Sequence, residues 1–234
     1  MPQRSPRRQV SRLPPERRIA DIMTAAREIF AEKGYTEHVI SEIAERAGVV
    51  EGTIYRFFAN KNDLLQRVAE TWFQEMMDQS AANYAAIRGE WNALHFVIFH
   101  TLEAIRRDPG LTRLMLYELR PEPDHRDSRL YALHHDYTGR LCTIVRDGMA
   151  RGVFRADADP ELARDMAFGA IEMRTWSYLH DKSSFEPGPL AREITDMLYA
   201  GLLPNTAALP RDETLRRLEA VALRLETLAG AGQG

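Results

Sequence analysis

The sequence predicts an all-α protein in two parts: an N-terminal three-helix helix-turn-helix unit and a larger helical domain behind it. Three observations carry this. Apolar residues recur at spacings of three and four along most of the 234 residues. Gly and Pro clusters cut that pattern into helix-length pieces. Within residues 40–58, Ala44, Gly48, Val49, Ile54 and Phe57 stand at offsets 0, +4, +5, +10 and +13, the spacing of a helix-turn-helix. Strand-like alternation and internal repeats are absent from the sequence.

The first helix, over 16–33, follows from Ile19, Ile22, Met23, Ala26, Ile29 and Phe30 on one face. Lys33-Gly34 ends it with a cation in the last turn and a glycine stop. In the next helix Ile43 and Ala47 share the buried side, and Ala44 marks the place where two helices meet. Gly48 supplies a left-handed turn and Val49 points back inward. A second short helix opens near Glu51, with Ile54, Phe57 and Phe58 toward the core. That leaves Glu51, Gly52, Thr53, Tyr55 and Arg56 outward. Asn60 is the expected N-cap of a fourth helix.

An outward face of this kind fits the DNA major groove. Thr53 is short enough to touch a thymine methyl or donate a hydrogen bond, and Arg56 reaches guanine or phosphate. Gly52 lets the backbone come close. Lys61 is a cation at a helix start, unfavourable for the dipole, which suggests a phosphate contact. Glu51 is either a partner of the helix dipole or an acceptor for cytosine. Net charge is −3, yet residues 1–67 hold 12 Lys/Arg against 9 Asp/Glu and the remainder 19 against 25, so the helix-turn-helix lies at the positive end. The Pro- and Arg-rich residues 1–15 read as a flexible basic arm, either a phosphate-following segment or a solubilising tail. Arg17 and Arg18, at the start of helix one, are placed for phosphate.

The run from Ile19 to Leu65 resembles the DNA-binding domain of the TetR family of transcriptional repressors. The matching residues are Ala25-Ala26, Phe30, Gly34-Tyr35, Ile43-Ala44, Ala47-Gly48-Val49, Gly52-Thr53-Ile54-Tyr55, Phe58, Lys61 and Leu64. The resemblance implies a two-domain, dimeric repressor with an effector pocket in its C-terminal domain. It also implies that the Tyr55 hydroxyl meets a phosphate. Val39 and Val50 fall where the family commonly carries hydroxyl residues that cap helices or touch phosphates; both positions are carried over as DNA contacts, without the hydroxyl. Ser41 is the nearest substitute cap for helix two.

From Leu64 onward further helices are expected over 61–86, 90–107, 111–119, 126–151, 160–181, 189–203 and 212–228. Residues 68–234 hold 3 Trp, 6 Phe, 6 Tyr and 7 Met, a load that suits either a core or an apolar ligand pocket. Trp72, Phe73, Met76, Met77, Phe96, Phe99, Met115, Tyr117, Tyr137, Met173 and Trp176 are the candidates to surround one cavity. Glu118, Arg120, Glu172 and Arg174 either recognise a ligand head group or pair across a dimer. Arg151-Gly152-Val153-Phe154-Arg155 followed by Ala167-Phe168-Gly169-Ala170-Ile171-Glu172 resembles C-terminal domains of family members that regulate lipid metabolism and sense long-chain acyl-CoA. A small-residue stripe, Ala163, Ala167 and Ala170, permits close helix approach. With Leu190, Ile194, Met197 and Leu198 on the next helix, it is the expected homodimer interface, which in turn implies a palindromic operator.

The expected division is an arm over 1–15, a DNA-binding domain over 16–62, an effector and dimerisation domain over 63–205, and an extension with an amphipathic helix over 206–234. Double-stranded DNA, a small-molecule effector and a second copy of the chain are the expected partners. No apolar run approaches the roughly 18 residues that span a bilayer, and no secretory signal stands at the N-terminus, so a cytoplasmic protein is expected. Cys142 sits in an apolar run and reads as a buried thiol. His134-His135 and the pair His95 and His100 are off one face and make poor metal sites. With no phosphate loop, nucleophile elbow or zinc spacing, no cofactor, metal or enzymatic activity is expected. The rival reading is a ligand-independent DNA-binding regulator with a fully packed core.

Overall fold

A computed structural model describes residues 14–33, 39–121, 125–180 and 182–204, with Arg216, Glu219 and Val221 beyond them. Residues 1–13, Gly34, Tyr35, His38 and most of the 212–228 helix lie outside the described residues. The described chain is helical: α1 (Pro15–Lys33), α2 (Val39–Arg46), α3 (Glu51–Phe57), α4 (Lys61–Ala86), α5 (Glu90–Arg107), α6 (Pro109–Arg113), a π-helical turn (Leu114–Leu119), a 3₁₀ turn (His125–Asp127), α7 (Arg129–Ala150), α8 (Pro160–Leu179) and α9 (Pro187–Leu202).

The N-terminal unit closes around Ile22, Ala26, Ile29, Phe30, Ile43, Ile54 and Phe58, all buried. The turn between α2 and α3 is set by Gly48 at φ +64°, and the Val49 N–H donates to the Ala44 carbonyl at 2.9 Å. Arg46 grips Glu32 of α1 with both guanidinium branches, at 2.6 and 2.7 Å. Asn60 caps α4: its Oδ1 accepts from the Asp63 N–H at 2.9 Å, and the Asp63 carboxylate accepts from the Ala59 N–H at 2.8 Å. Ser41 does not cap α2. It lies inside that helix, and its hydroxyl donates to the Glu51 carboxylate at 2.5 Å.

Helix α4 belongs to both halves. Leu64, Leu65, Val68 and Ala69 pack into the N-terminal core, and Trp72, Phe73 and Met76 continue the same apolar cluster to Leu130 and Tyr137 of α7. A second cluster joins α5, α7, α8 and α9 around Leu94, Ile98, Leu141, Val145, Ile171 and Ala191. The halves also meet at α1 and α6, where Gly110 lies so close to Phe30 that a Cβ there would be 1.9 Å from the Phe30 carbonyl oxygen. Arg27 of α1 pairs with Glu75 of α4 at 2.5 Å.

The expected helix over 111–119 is two elements. Pro109 opens α6, and the chain widens into a π turn that the Arg120 N–H ends by donating to the Met115 carbonyl at 3.0 Å. Leu114 and Leu119 are both buried. Five residues apart, they would lie about 140° apart on an α-helix; the wider turn brings them to one side. Helix α7 starts at Arg129, with Ser128 as its N-cap, three residues later than expected. Asp159 caps α8 through the N–H groups of Glu161 and Leu162.

Candidate DNA-binding face and ligand cavity

Helix α3 buries Ile54 and leaves Glu51, Gly52, Tyr55 and Arg56 exposed, with Thr53 half-buried. Val50 is its N-cap residue, in extended conformation at φ −88° and ψ 150°, and makes no side-chain cap hydrogen bond. Its side chain is 74% exposed. Glu51 is drawn back to Ser41, a position that neither sequence-level role foresaw. Arg17 is exposed and pairs with Asp21 at 3.3 Å; Arg18 is half-buried beside it. Lys61 is the first residue of α4 and half-buried. Val39 departs from expectation: as the first residue of α2 it is 0% exposed and packs in the core, so it presents nothing to DNA.

Gly52 has open space around it, since a Cβ there meets nothing within 4 Å. The free protein therefore does not require glycine, whereas close backbone approach to DNA does. Gly52→Ala should keep or raise the melting temperature, because alanine is favoured in a helix by up to about 1 kcal/mol, while operator affinity falls. Thermal unfolding and DNA titration of one preparation check both, and unchanged affinity would remove the close-approach role.

Between α4, α5, the π turn, α7 and α8 lies a cavity of about 400 Å³. Its body is apolar: Trp72, Phe73 and Met76 from α4 face Met115, Tyr137 and Phe168. Thr101, Thr112, Thr138 and Thr175 also line it, but each hydroxyl donates to a carbonyl of its own chain one turn back, which turns these walls toward methyl character. The Trp72 indole N–H is likewise engaged, donating to Asp108 at 2.9 Å. The Tyr137 hydroxyl lies 3.0 Å from Thr101 Oγ1, and burial pushes its pKa up, so the group stays neutral. Charged groups appear as two pairs: Arg120 with Glu172 at 3.0 Å, and Arg164 with its neighbour Asp165 at 2.8 Å.

Of the residues expected at a pocket, Phe73, Met115 and Tyr137 line this cavity, as do Trp72, Met76 and the head-group candidates Arg120 and Glu172. The others do not. Met77 is a partly buried residue packed against the apolar cluster that runs along α4. Phe99 stacks on His95, and Phe96 packs against Tyr84 and His100 on another side of α5. Glu118 is on the π turn but off the cavity wall, and Tyr117 turns to Trp176 and His180. Met173, Arg174 and Trp176 are exposed on α8, whose cavity side is Phe168, Ile171, Glu172 and Thr175. Arg120 and Glu172 pair with each other within the chain. Phe168, His134 and Thr101 are wall residues that aromatic and methionine content alone did not single out.

The small-residue stripe also faces another way than expected. Ala163 and Ala167 are buried in the chain's own core and Ala170 is half-buried; Leu190, Ile194 and Leu198 belong to the same core. The open apolar surface is a different line on α8: Leu162 at 54%, Met166 at 60%, Met173 at 73%, and Trp176. Met197 on α9 is also open, at 80% exposure. Cys142 is buried, its thiol donates to the Pro160 carbonyl, and burial raises its pKa. Among the described residues no helix is long and apolar enough to cross a membrane.

Comparison with known proteins agrees with both halves of the structure. Residues 22–68 match the family profile described as bacterial regulatory proteins, tetR family, and residues 90–202 match the tetracyclin repressor-like C-terminal domain. The fatty acid metabolism regulator protein of Bacillus subtilis is 28% identical over 184 residues, which cover 77% of this chain and 93% of that protein. The transcriptional regulator FadR of Bacillus subtilis, solved in complex with stearoyl-CoA, superposes with a TM-score of 0.68 at 26% identity, covering 78% of this chain and 98% of that one. A transcriptional regulator of Saccharomonospora viridis, solved in complex with choline, shares the fold with a TM-score of 0.68 at 20% identity, covering 81% and 99%. With a helix-turn-helix head, a cavity-bearing helical domain and profiles matched in both, the chain belongs to the TetR family of DNA-binding transcriptional regulators.

Proposed function

We propose that the protein is a homodimeric repressor that occupies an inverted-repeat operator and leaves it when a largely apolar effector of the fatty acyl-CoA or related lipid class enters the cavity. The observation that carries this reading is the cavity of about 400 Å³, apolar in its body and charged at the Arg120–Glu172 pair. Likeness to a regulator solved with stearoyl-CoA supports the ligand class. A regulator that ignores ligands would need only a filled core, and this cavity argues against that alternative.

The dimer would form through α8 and α9, with Leu162, Met166, Met173, Trp176 and Met197 meeting their two-fold copies. An exposed apolar line of this length favours a partner. Two-fold pairing presents α3 twice, so the operator would be palindromic. Residues 16–62 would act as the reading head, 63–205 as the effector and dimer domain, and the site of action would be the cytoplasm. Trp72 links cavity to head: it lines the cavity, its N–H holds Asp108 before α6, and Gly110 of α6 abuts α1.

The test starts with selection of bound duplexes from a random pool. The recovered operator is then titrated with protein alone, and with stearoyl-CoA, stearate or coenzyme A added. Release by stearoyl-CoA and none by coenzyme A is the expected result. Equal operator affinity under all conditions would overturn the ligand-responsive reading and leave the DNA-binding one standing.

A further inference from the structure

We propose that Val50 reads a thymine through its C5-methyl group, making one base contact of each recognition helix apolar. The inference deepens the operator-binding reading and rests on it. Val50 is the N-cap residue of α3, and its extended backbone takes the side chain off the helical wheel that buries Ile54. It is 74% exposed, while Phe57 and Phe58 nearby are packed against the core. Its carbonyl accepts from the Thr53 N–H at 2.8 Å, as any N-cap residue's would, but its side chain makes no cap hydrogen bond, and nothing among the described residues calls for a bare valine there.

The neighbours clear the ground around it. Glu51, the adjacent acid, is tied back to Ser41 at 2.5 Å. Gly52, two residues on, has no side chain and open space where one would be. The surface at the head of α3 is therefore a branched apolar group beside bare backbone. Valine neither donates nor accepts a hydrogen bond, so a phosphate or a base-edge polar atom gains nothing from it. The one apolar group that the major groove displays is the thymine methyl. Branching at Cβ restricts valine's χ1, so ordering it against a methyl loses little freedom.

Replacing each operator thymine in turn by deoxyuridine removes the methyl and nothing else. With the wild-type protein, one symmetry-related pair of replacements should weaken binding about fourfold per half-site, the worth of burying one methyl-sized group. Val50→Ala should weaken binding to the thymine operator and be indifferent to deoxyuridine at that same position, the signature of a direct pair in a double-mutant cycle. Because the side chain is exposed, the variant should melt like the parent, and its melting curve is recorded alongside. Insensitivity to deoxyuridine everywhere, or an equal loss from Val50→Ala on both operators, would overturn the proposal while leaving operator binding intact. Failure of the selection to enrich any duplex would overturn the operator reading itself, and this inference with it.

Discussion

Met173→Glu should yield a folded monomer whose operator affinity falls by roughly 10²–10⁴-fold, the gain that linking two binding units typically brings. Met173 is 73% exposed in the single chain, so a glutamate there is fully hydrated and the fold is undisturbed. In a two-fold dimer the same patch meets its own copy. Each glutamate would then be buried among Met166, Trp176 and their mates with no cation provided on this line of α8, and burial of an unpaired charge is strongly unfavourable. Sedimentation and fluorescence anisotropy on the same sample check the two halves of the prediction. Met173→Ala is the control, expected to remain dimeric. A Met173→Glu protein that stays dimeric with full operator affinity would move the interface off α8.

Gly110→Ala should destabilise the protein by about 1–3 kcal/mol, the range for forcing atoms into a packed contact, and should also weaken operator binding. The new methyl would lie 1.9 Å from the Phe30 carbonyl oxygen and 2.8 Å from its carbon. Both are backbone atoms, so no rotamer change relieves the clash. Helix α1 must shift against α6, and α1 carries Arg17 and Arg18 and packs against α2, which leads into α3. The α8–α9 surface is untouched, so the oligomeric state should not change. Thermal unfolding measures the first effect and operator titration the second. Full operator affinity in a destabilised variant would mean that the α1–α6 contact holds the fold without orienting the head.

The head was legible because its signals are local. Gly48 ends α2 at a positive φ, Asn60 caps α4, and Ile54 and Phe58 turn inward, all as spacing dictates. Val39, carried over from the family pattern as a DNA contact, is buried instead, and Ser41, expected as a cap, bonds Glu51 from inside α2. Helix α8 was harder because it is apolar on two sides. Ala163 and Ala167 form one line and Leu162, Met166 and Met173 another, and period 3.6 does not say which meets the chain's own core. The cavity was legible in composition but not in membership. Phe96, Phe99 and Tyr137 are alike as residue types, yet only Tyr137 points into the space. The π turn escaped notice because its five-residue spacing, Leu114 to Leu119, matches no α-helical template.

The unbroken apolar seam along α4, from Leu64 through Val68 and Trp72 to Tyr137 on α7, has a practical consequence for building hybrids. A chimera that splices a foreign reading head onto this chain midway along α4 would cut through interlocked side chains on both sides of the junction. Grafts that carry α1 through α6 as one block would respect the interlock, and sensors with altered operator preference should be engineered on that unit.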